Sequence, residues 1–415
     1  MAGLSRFFAV LSISLLCVQA AEGTPRRFII NASANGPARY MVALNEDVDD
    51  VGSVADELTA KHHGRLTRRF RRALHGFTVE MSEAEARALL NESRVAYVEQ
   101  DSTISGGTTG QPLPQSTQTA PVSWGLDRID QRDLPLNQSY VYNATGVGVT
   151  AYIVDSGINA THVEFGGRVR NGFNFSTTLP AGDCNGHGTH VSGIVGGSVH
   201  GVAKNVSLVS VRVLDCQNRG FTSDMVAGID WAIDDHQNGQ AAVMNLSIYT
   251  DSPSISLDTA VNLAIADSIT VCVLAGNGTA NNSVATDACT ISPARVTNAI
   301  TVSATNILDN RASFANFGNC VALFAPGEGI ESAWYTSDTA TALDSGTSMS
   351  TPHVTGAAAL YLQDHPNATP ATVAFELIAK ASVNKLGNAG TGSPNRLLFT
   401  GGNQIPLRRP AARKP

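Results

Sequence analysis

Four short stretches of this 415-residue chain carry residue types that together suit acyl transfer. In Asp344-Ser345-Gly346-Thr347-Ser348-Met349-Ser350-Thr351 small residues run up to Ser348, and apolar residues then recur with helical spacing at Val354, Ala357, Ala358, Tyr361 and Leu362. Ser348 is therefore expected at a helix N-terminus, where unpaired N–H groups and the positive dipole end stabilise negative charge beside its hydroxyl. A lone serine there is more often only an N-cap. Asp183-Cys184-Asn185-Gly186-His187-Gly188-Thr189-His190 is a Gly-rich loop entering a helix. Its two histidines lack a third metal ligand at suitable spacing. As a general base, His187 needs a carboxylate at one ring nitrogen and a hydroxyl at the other. Asp155, in Val154-Asp155-Ser156-Gly157, and Ser348 supply these. Asn277, in Ala275-Gly276-Asn277-Gly278, offers an amide donor to a developing oxyanion. Taken singly, Asp155 and Asn277 read as ordinary turn residues. The four together make a catalytic set.

Such groups need a rigid frame. Near-continuous apolar runs at 147–154, 206–214, 241–248, 269–274 and 299–303 read as buried strands. Helical patterns occupy 187–195, 222–236, 255–267 and 348–363. The alternation implies an α/β domain, a mainly parallel sheet with helices on both faces. Asp155 and Asn277 each leave a strand at its carboxyl end, where ligands bind in such sheets.

A smaller unit precedes it. Strands at 39–44, 66–70, 74–81 and 95–99 and helices at 48–63 and 82–90 follow the β-α-β-β-α-β order of a ferredoxin-like α+β fold, ordered over about 38–101. Residues 106–121 are rich in Gly, Thr, Gln and Pro and read as a linker open to nicking. A removable pro-domain and an ordinary regulatory domain both fit this layout.

Composition narrows the class. With 15% charged and 43% hydrophobic residues the chain is globular, and a net charge of −7 argues against a nucleic-acid partner. The basic run 65–72 and the tail 408–414 read as solvated patches. Arg6, the apolar run 7–18 and Val18-Gln19-Ala20 make 1–20 a secretory signal peptide, too short to span a membrane. Eleven Asn-x-Ser/Thr sequons, Asn143, Asn159 and Asn174 among them, fit a secretory route. Of six cysteines, Cys17 lies in the signal and Cys272 in a buried-strand pattern, which makes Cys272 the candidate free thiol. Sequence alone does not fix the pairing of the other four; Cys184–Cys216 and Cys289–Cys320 is the arrangement this suggests.

At this point the chain resembles a family. Ile153-Val154-Asp155-Ser156-Gly157-Ile158, Asn185-Gly186-His187-Gly188-Thr189-His190-Val191, Ala275-Gly276-Asn277 and Gly346-Thr347-Ser348-Met349-Ser350-Thr351-Pro352-His353 are similar to the motifs of subtilisin-like serine proteases. The likeness is strongest to their proteinase K-like branch, typified by aqualysin, and spans roughly 120–400. Residues 38–101 resemble the inhibitor I9-type pro-domain of that family. The resemblance implies a subtilisin-like three-layer fold over 116–400, a pro-domain and linker over 21–115, and a disordered tail at 401–415. It implies Ser348 as nucleophile, His187 as general base and acid, Asp155 as the group orienting it, and Asn277 with the Ser348 N–H as oxyanion hole. Asn277 is then expected to stay unglycosylated, and His190 and His353 to be structural. The family's disulfide pattern supports the pairing above.

Peptide in this family binds as an added strand between two edges, here implying Ser247 and Ile248 on one side, Gly220 on the other, with Ala275 and Gly276 nearby. Tyr249 stands where relatives carry glycine, so a ring beside the cleft is expected to narrow the subsites before the cut. No catalytic cofactor is implied. A structural calcium is expected on the oxygens of Asp127, Asp130, Gln131 and Asn137; a second family position, near Thr297 and Ala299, has Ala322 in place of its carboxylate. The expectation is thus a secreted, monomeric serine endopeptidase made as a zymogen, acting on protein and peptide substrates and held by its own pro-domain. One rival is a silent peptide-binding relative. Another is a lipase, but position 350 is serine where Gly-x-Ser-x-Gly requires glycine.

Overall fold

The computed structural model describes residues 26–30, 39–107, 123–180, 182–278 and 284–401. The expected signal peptide, most of the linker and nearly all of the tail lie outside the described residues.

In the smaller unit, strands Arg39–Leu44, Arg65–Arg69, Gly76–Glu80 and Val95–Gln100 alternate with helices Val51–Lys61 and Glu83–Ala88. Val95–Gln100 lies beside Arg39–Leu44, then Gly76–Glu80, then Arg65–Arg69, the ferredoxin-like order. The helices start where short polar side chains cap them: Asp50 accepts the Ser53 N–H and Ser82 that of Glu85. Period-two alternation along Arg39–Leu44 serves two cores. Tyr40, Val42 and Leu44 pack with Leu58, Phe77 and Val79 inside the unit, while Met41 and Ala43 join Met225, Ile229 and Leu257 of the larger one. A short strand, Arg27–Ile29, adds in parallel to Val95–Gln100, ahead of the expected ordered span.

The larger unit is built on a nine-stranded sheet. Its spatial order is Ser382–Val383, Arg396–Leu397, Leu323–Pro326, Ile300–Thr305, Thr270–Leu274, Ala242–Leu246, Thr150–Asp155, Ser207–Arg212 and Val169–Asn174. All neighbours run parallel except the first pair. Both faces are covered, which is why the strands read as unbroken apolar runs. Ala151 and Ile153 face one core with Val191, Met349 and Val354; Tyr152 and Val154 face the other with Met225 and Ile229. Helices His187–Gly196 and Thr347–Asp364 therefore lie on one side, and Thr222–Asp235 and Ile255–Ala266 on the other.

Two sequence expectations change. The run 241–248 is not one strand: Ala242–Leu246 stays in the central sheet, and Ile248–Tyr249 turns into a second, three-stranded sheet. The chain also stays regular beyond 101. Thr103–Gly106, which ends at the first residue of the expected linker, is the middle strand of that second sheet, antiparallel to Arg219–Phe221 and to Ile248–Tyr249.

The basic run 65–72 likewise does more than face solvent. Arg68 reaches Asp224 at 3.1 Å, Arg71 reaches Asp234 at 3.0 Å, and Asp230 accepts the backbone N–H groups of Arg71, Arg72 and Ala73. All three aspartates lie on helix Thr222–Asp235. A solvated patch was the simpler reading because the acidic partner lies more than 150 residues downstream.

Candidate active site

Asp155 ends strand Thr150–Asp155 and is fully buried. Its Oδ1 accepts from the Ser156 N–H and from His187 Nδ1, both at 2.7 Å. His187 opens helix His187–Gly196 after Gly186, whose φ of 113° suits glycine. Burial pulls the His187 pKa down, but the charge and hydrogen bond of Asp155 outweigh it, and the imidazole titrates above its ordinary value. Its other nitrogen, Nε2, is buried with no hydrogen-bond partner among the described residues.

Ser348 is the second residue of helix Thr347–Asp364, so its N–H lacks an intrahelical acceptor. Its Oγ donates to the Ser247 carbonyl at 3.1 Å and not to His187.

Between these groups lies the end of the cleft strand. Gly107 donates its N–H to the Ser247 carbonyl at 3.2 Å, and its own carbonyl accepts from Asn277 Nδ2. A Cβ placed on Gly107 would lie 2.6 Å from Ser348 Oγ. One placed on Gly346 would lie 2.2 Å from the Gly107 oxygen, so glycine at 346 is what lets that carbonyl approach the helix end. The carbonyl of a bound chain therefore sits among a serine hydroxyl, a helix N-terminus and an amide donor.

The Asn277 amide is oriented by a residue the sequence reading did not single out. Thr347 donates from its backbone N–H, at 2.9 Å, and from its hydroxyl, at 2.8 Å, to Asn277 Oδ1. The same hydroxyl accepts from the Gly276 N–H at 3.2 Å. With the oxygen held, Nδ2 can only face the Gly107 carbonyl. A threonine beside the candidate nucleophile was the available signal.

The other named residues divide. Ile248 and Tyr249 pair with Gly106 and Ser105, and Gly220 pairs with Ile104. Ser247 adds a hydroxyl that donates to the Ser348 carbonyl at 3.0 Å. Ala275 and Gly276 lie in the framework behind Asn277: the Ala275 N–H goes to Val302, and the Gly276 carbonyl accepts from Asn316. The Tyr249 backbone pairs with Ser105 of the cleft strand, and its ring is buried, 8% exposed, in a cluster with Leu274, Ala275, Ile291 and Phe324. An apolar ring gains more by filling that space than by lying in water.

His190 and His353 are buried against backbone carbonyls, and burial lowers their pKa values to about 3 and about 4, so both stay neutral. Cys184 is bonded to Cys216 and Cys289 to Cys320, and Cys272 is free and buried. Asp127 lies on helix Trp124–Ile129, and Asp130, Gln131 and Asn137 follow it: Asp127 accepts from the Asn137 and Gln138 N–H groups, Asp130 from that of Val141, and Asn137 from that of Ser139. Gln131 donates to the carbonyls of Asp133 and Pro135.

Fold and site together define a serine peptidase with an attached inhibitory domain. Residues 146–401 match the model of the subtilase family and residues 37–105 that of peptidase inhibitor I9, and the chain belongs to the subtilase family. It is 47% identical over 397 residues to the extracellular serine proteinase of Thermus sp. (strain Rt41A), covering 93% of this chain and 92% of that one. It is 36% identical to the cuticle-degrading serine protease of Arthrobotrys oligospora, covering 95% and 98%. A crystal structure of a cold-adapted subtilisin-like serine proteinase superposes with a TM-score of 0.64 at 46% identity, covering 68% of this chain and 100% of that one. Among the described residues no helix is long and apolar enough to cross a membrane.

Proposed function

We propose that this serine endopeptidase works through Ser348, His187, Asp155 and Asn277, and that the precursor cuts itself in the cleft described above. Ser348 Oγ turns from Ser247 to His187 Nε2, loses its proton there and attacks the carbonyl of a chain lying along Arg219–Phe221 and Ile248–Tyr249. Asp155 fixes the imidazole tautomer and stabilises the cation that forms. Asn277 Nδ2 and the Ser348 N–H receive the oxyanion, and His187 returns the proton to the leaving amine. Water then releases the acyl group by the same relay.

One observation carries this reading: the Gly107 carbonyl accepts from Asn277 while its N–H donates to Ser247, the posture of a chain cut at that carbonyl. The signal peptide is removed near Ala20, the pro-domain remains in the cleft as inhibitor after the cut, and the mature monomer acts outside the cell, as the extracellular relative's name suggests. Asp127 and Asp130 are buried carboxylates, and with the side-chain oxygens of Gln131 and Asn137 they would be the residues to hold a calcium ion acting on stability and not on the reaction.

The test is covalent and kinetic. A fluorophosphonate should label the mature wild type at Ser348 and abolish casein hydrolysis. Ser348→Ala should take no label and lose about 10⁶-fold in kcat. Labelling elsewhere, or activity surviving in Ser348→Ala, would reject the assignment.

A further inference from the structure

The residue whose carbonyl meets Asn277 is a glycine, and a Cβ there would crowd the ends of Ser348, Leu274 and Asn277. Gly107 does not have a positive φ, so its backbone conformation alone would accept any residue. Space is what disfavours one. A Cβ at 107 would lie 2.8 Å from Leu274 Cδ1 and 2.6 Å from Ser348 Oγ. The serine hydroxyl can rotate away. Leu274 cannot: it ends strand Thr270–Leu274, is fully buried, and is packed in one cluster with Ala275, Ala288, Ile291, Phe324 and the ring of Tyr249. Nor can the bound chain retreat, because Ser247 and Asn277 hold its N–H and carbonyl while Gly346 closes in behind the oxygen.

We propose that the S1 subsite of this protease is closed by Leu274, with Tyr249 filling the space behind it, so that it cuts after glycine and Gly107–Thr108 is its own maturation bond. The inference rests on the catalytic reading above and adds the substrate class: chains with glycine before the cut. Selection weakens one step upstream. A Cβ on Gly106 would meet the Asn218 side chain at 2.3–2.7 Å, but Asn218 is only half-buried and able to swing out. Ile104 is 2% exposed, in a cluster with Leu214 and Ile248, so an aliphatic residue is taken up three positions before Gly107.

The test compares mature wild type, Leu274→Ala and the double variant Leu274→Ala/Tyr249→Gly. The substrates are fluorogenic peptides Ile-Ser-Gly-X-Thr-Thr with X as glycine, alanine or phenylalanine. Wild type should favour glycine over alanine by at least about 10-fold in kcat/KM, a typical worth of one misfitted carbon, and over phenylalanine by more. Leu274→Ala should raise the alanine rate, and the double variant should admit phenylalanine. A wild type that cuts after phenylalanine as fast as after glycine overturns the proposal and leaves the protease reading intact. One that cuts neither these peptides nor casein overturns both. Should the buried-site variants fail to fold, the wild-type ratio decides alone, alongside a Gly107→Phe precursor. That precursor should not be cut at the substituted position; cleavage there would overturn the proposal.

Discussion

A single side chain sets the direction of the proposed oxyanion donor, Asn277. Thr347 holds Asn277 Oδ1 through two hydrogen bonds, and with that oxygen anchored the amide nitrogen is aimed without reorganisation when charge develops. Asn277→Ala should lower kcat by about 10²–10³-fold, the range established for such a donor in subtilisin. Thr347→Val keeps shape and backbone N–H but loses the hydroxyl, so it should cost about 10-fold, one net hydrogen bond's worth, with KM little changed. A rise in KM at constant kcat would show instead that Thr347 serves binding. His187 gives the pH dependence. It must be neutral to accept the serine proton, and Asp155 holds its pKa above the ordinary histidine value despite burial. Activity is therefore absent below that pKa, rises through it and stays high on the alkaline side; a kcat/KM profile of the mature enzyme checks this. Asp155→Asn should cut the plateau by about 10⁴-fold, as it does where the tautomer is lost.

At the scale of elements, the pro-domain grips two helix ends. The Val95–Gln100 strand and the turn after it place Glu99 on the Ser256 N–H at 2.9 Å and Asp101 on the Ser223 N–H at 3.0 Å. These lie in the first turns of Ile255–Ala266 and Thr222–Asp235, where carboxylates complete orphan donors and meet the positive dipole end. Arg39 supports Asp101 at 2.5 Å. Asp101→Ala removes one such cap, worth about 1–2 kcal/mol. The cut pro-domain should then leave sooner, and the lag before peptide hydrolysis appears should shorten several-fold. An unchanged lag would place the grip elsewhere. The proposed calcium site is tested at this scale: EDTA is expected to lower Tm of the mature enzyme, read by calorimetry, and Asp127→Ala should abolish that EDTA effect.

The same scale shows what sequence could reveal. Asp155, His187, Asn277 and Ser348 were legible because each sits where a periodic run gives way to glycine, at a strand end or helix start. The long strands and helices were legible from unbroken apolar runs and helical spacing. Val169–Asn174 was not, because it is an exposed edge strand with Arg, Asn and Gly in it. Ile330–Ala333 and Thr341–Asp344 are four residues each and pair only with one another, too short for a period to register. Thr103–Gly106 was not read as a strand, because four residues lying between the expected ordered span and the linker at 106–121 are too few for an alternation to register. Its regularity comes from two partner edges over a hundred residues downstream. The Tyr249 substitution was visible, but which way the ring turned depended on space beside Leu274.

Taken as a whole molecule, the precursor holds its own pro-domain strand in the cleft, the arrangement the proposed self-cleavage requires. The pro-domain covers helices Thr222–Asp235 and Ile255–Ala266 with its outer sheet face, and its last strand fills the cleft up to Gly107. A cut there, as proposed, would leave the contacts on the pro-domain side in place, so the cleaved pro-domain is expected to stay bound until it is released by a further step. The most direct measurement is intact mass after expression through a secretory pathway, wild type beside Ser348→Ala. Wild type should yield a product beginning at Thr108, with the pro-domain fragment ending at Gly107, and Ser348→Ala should keep that bond whole. Cleavage of the mutant at the same bond, or a wild type that stays joined, would contradict the account.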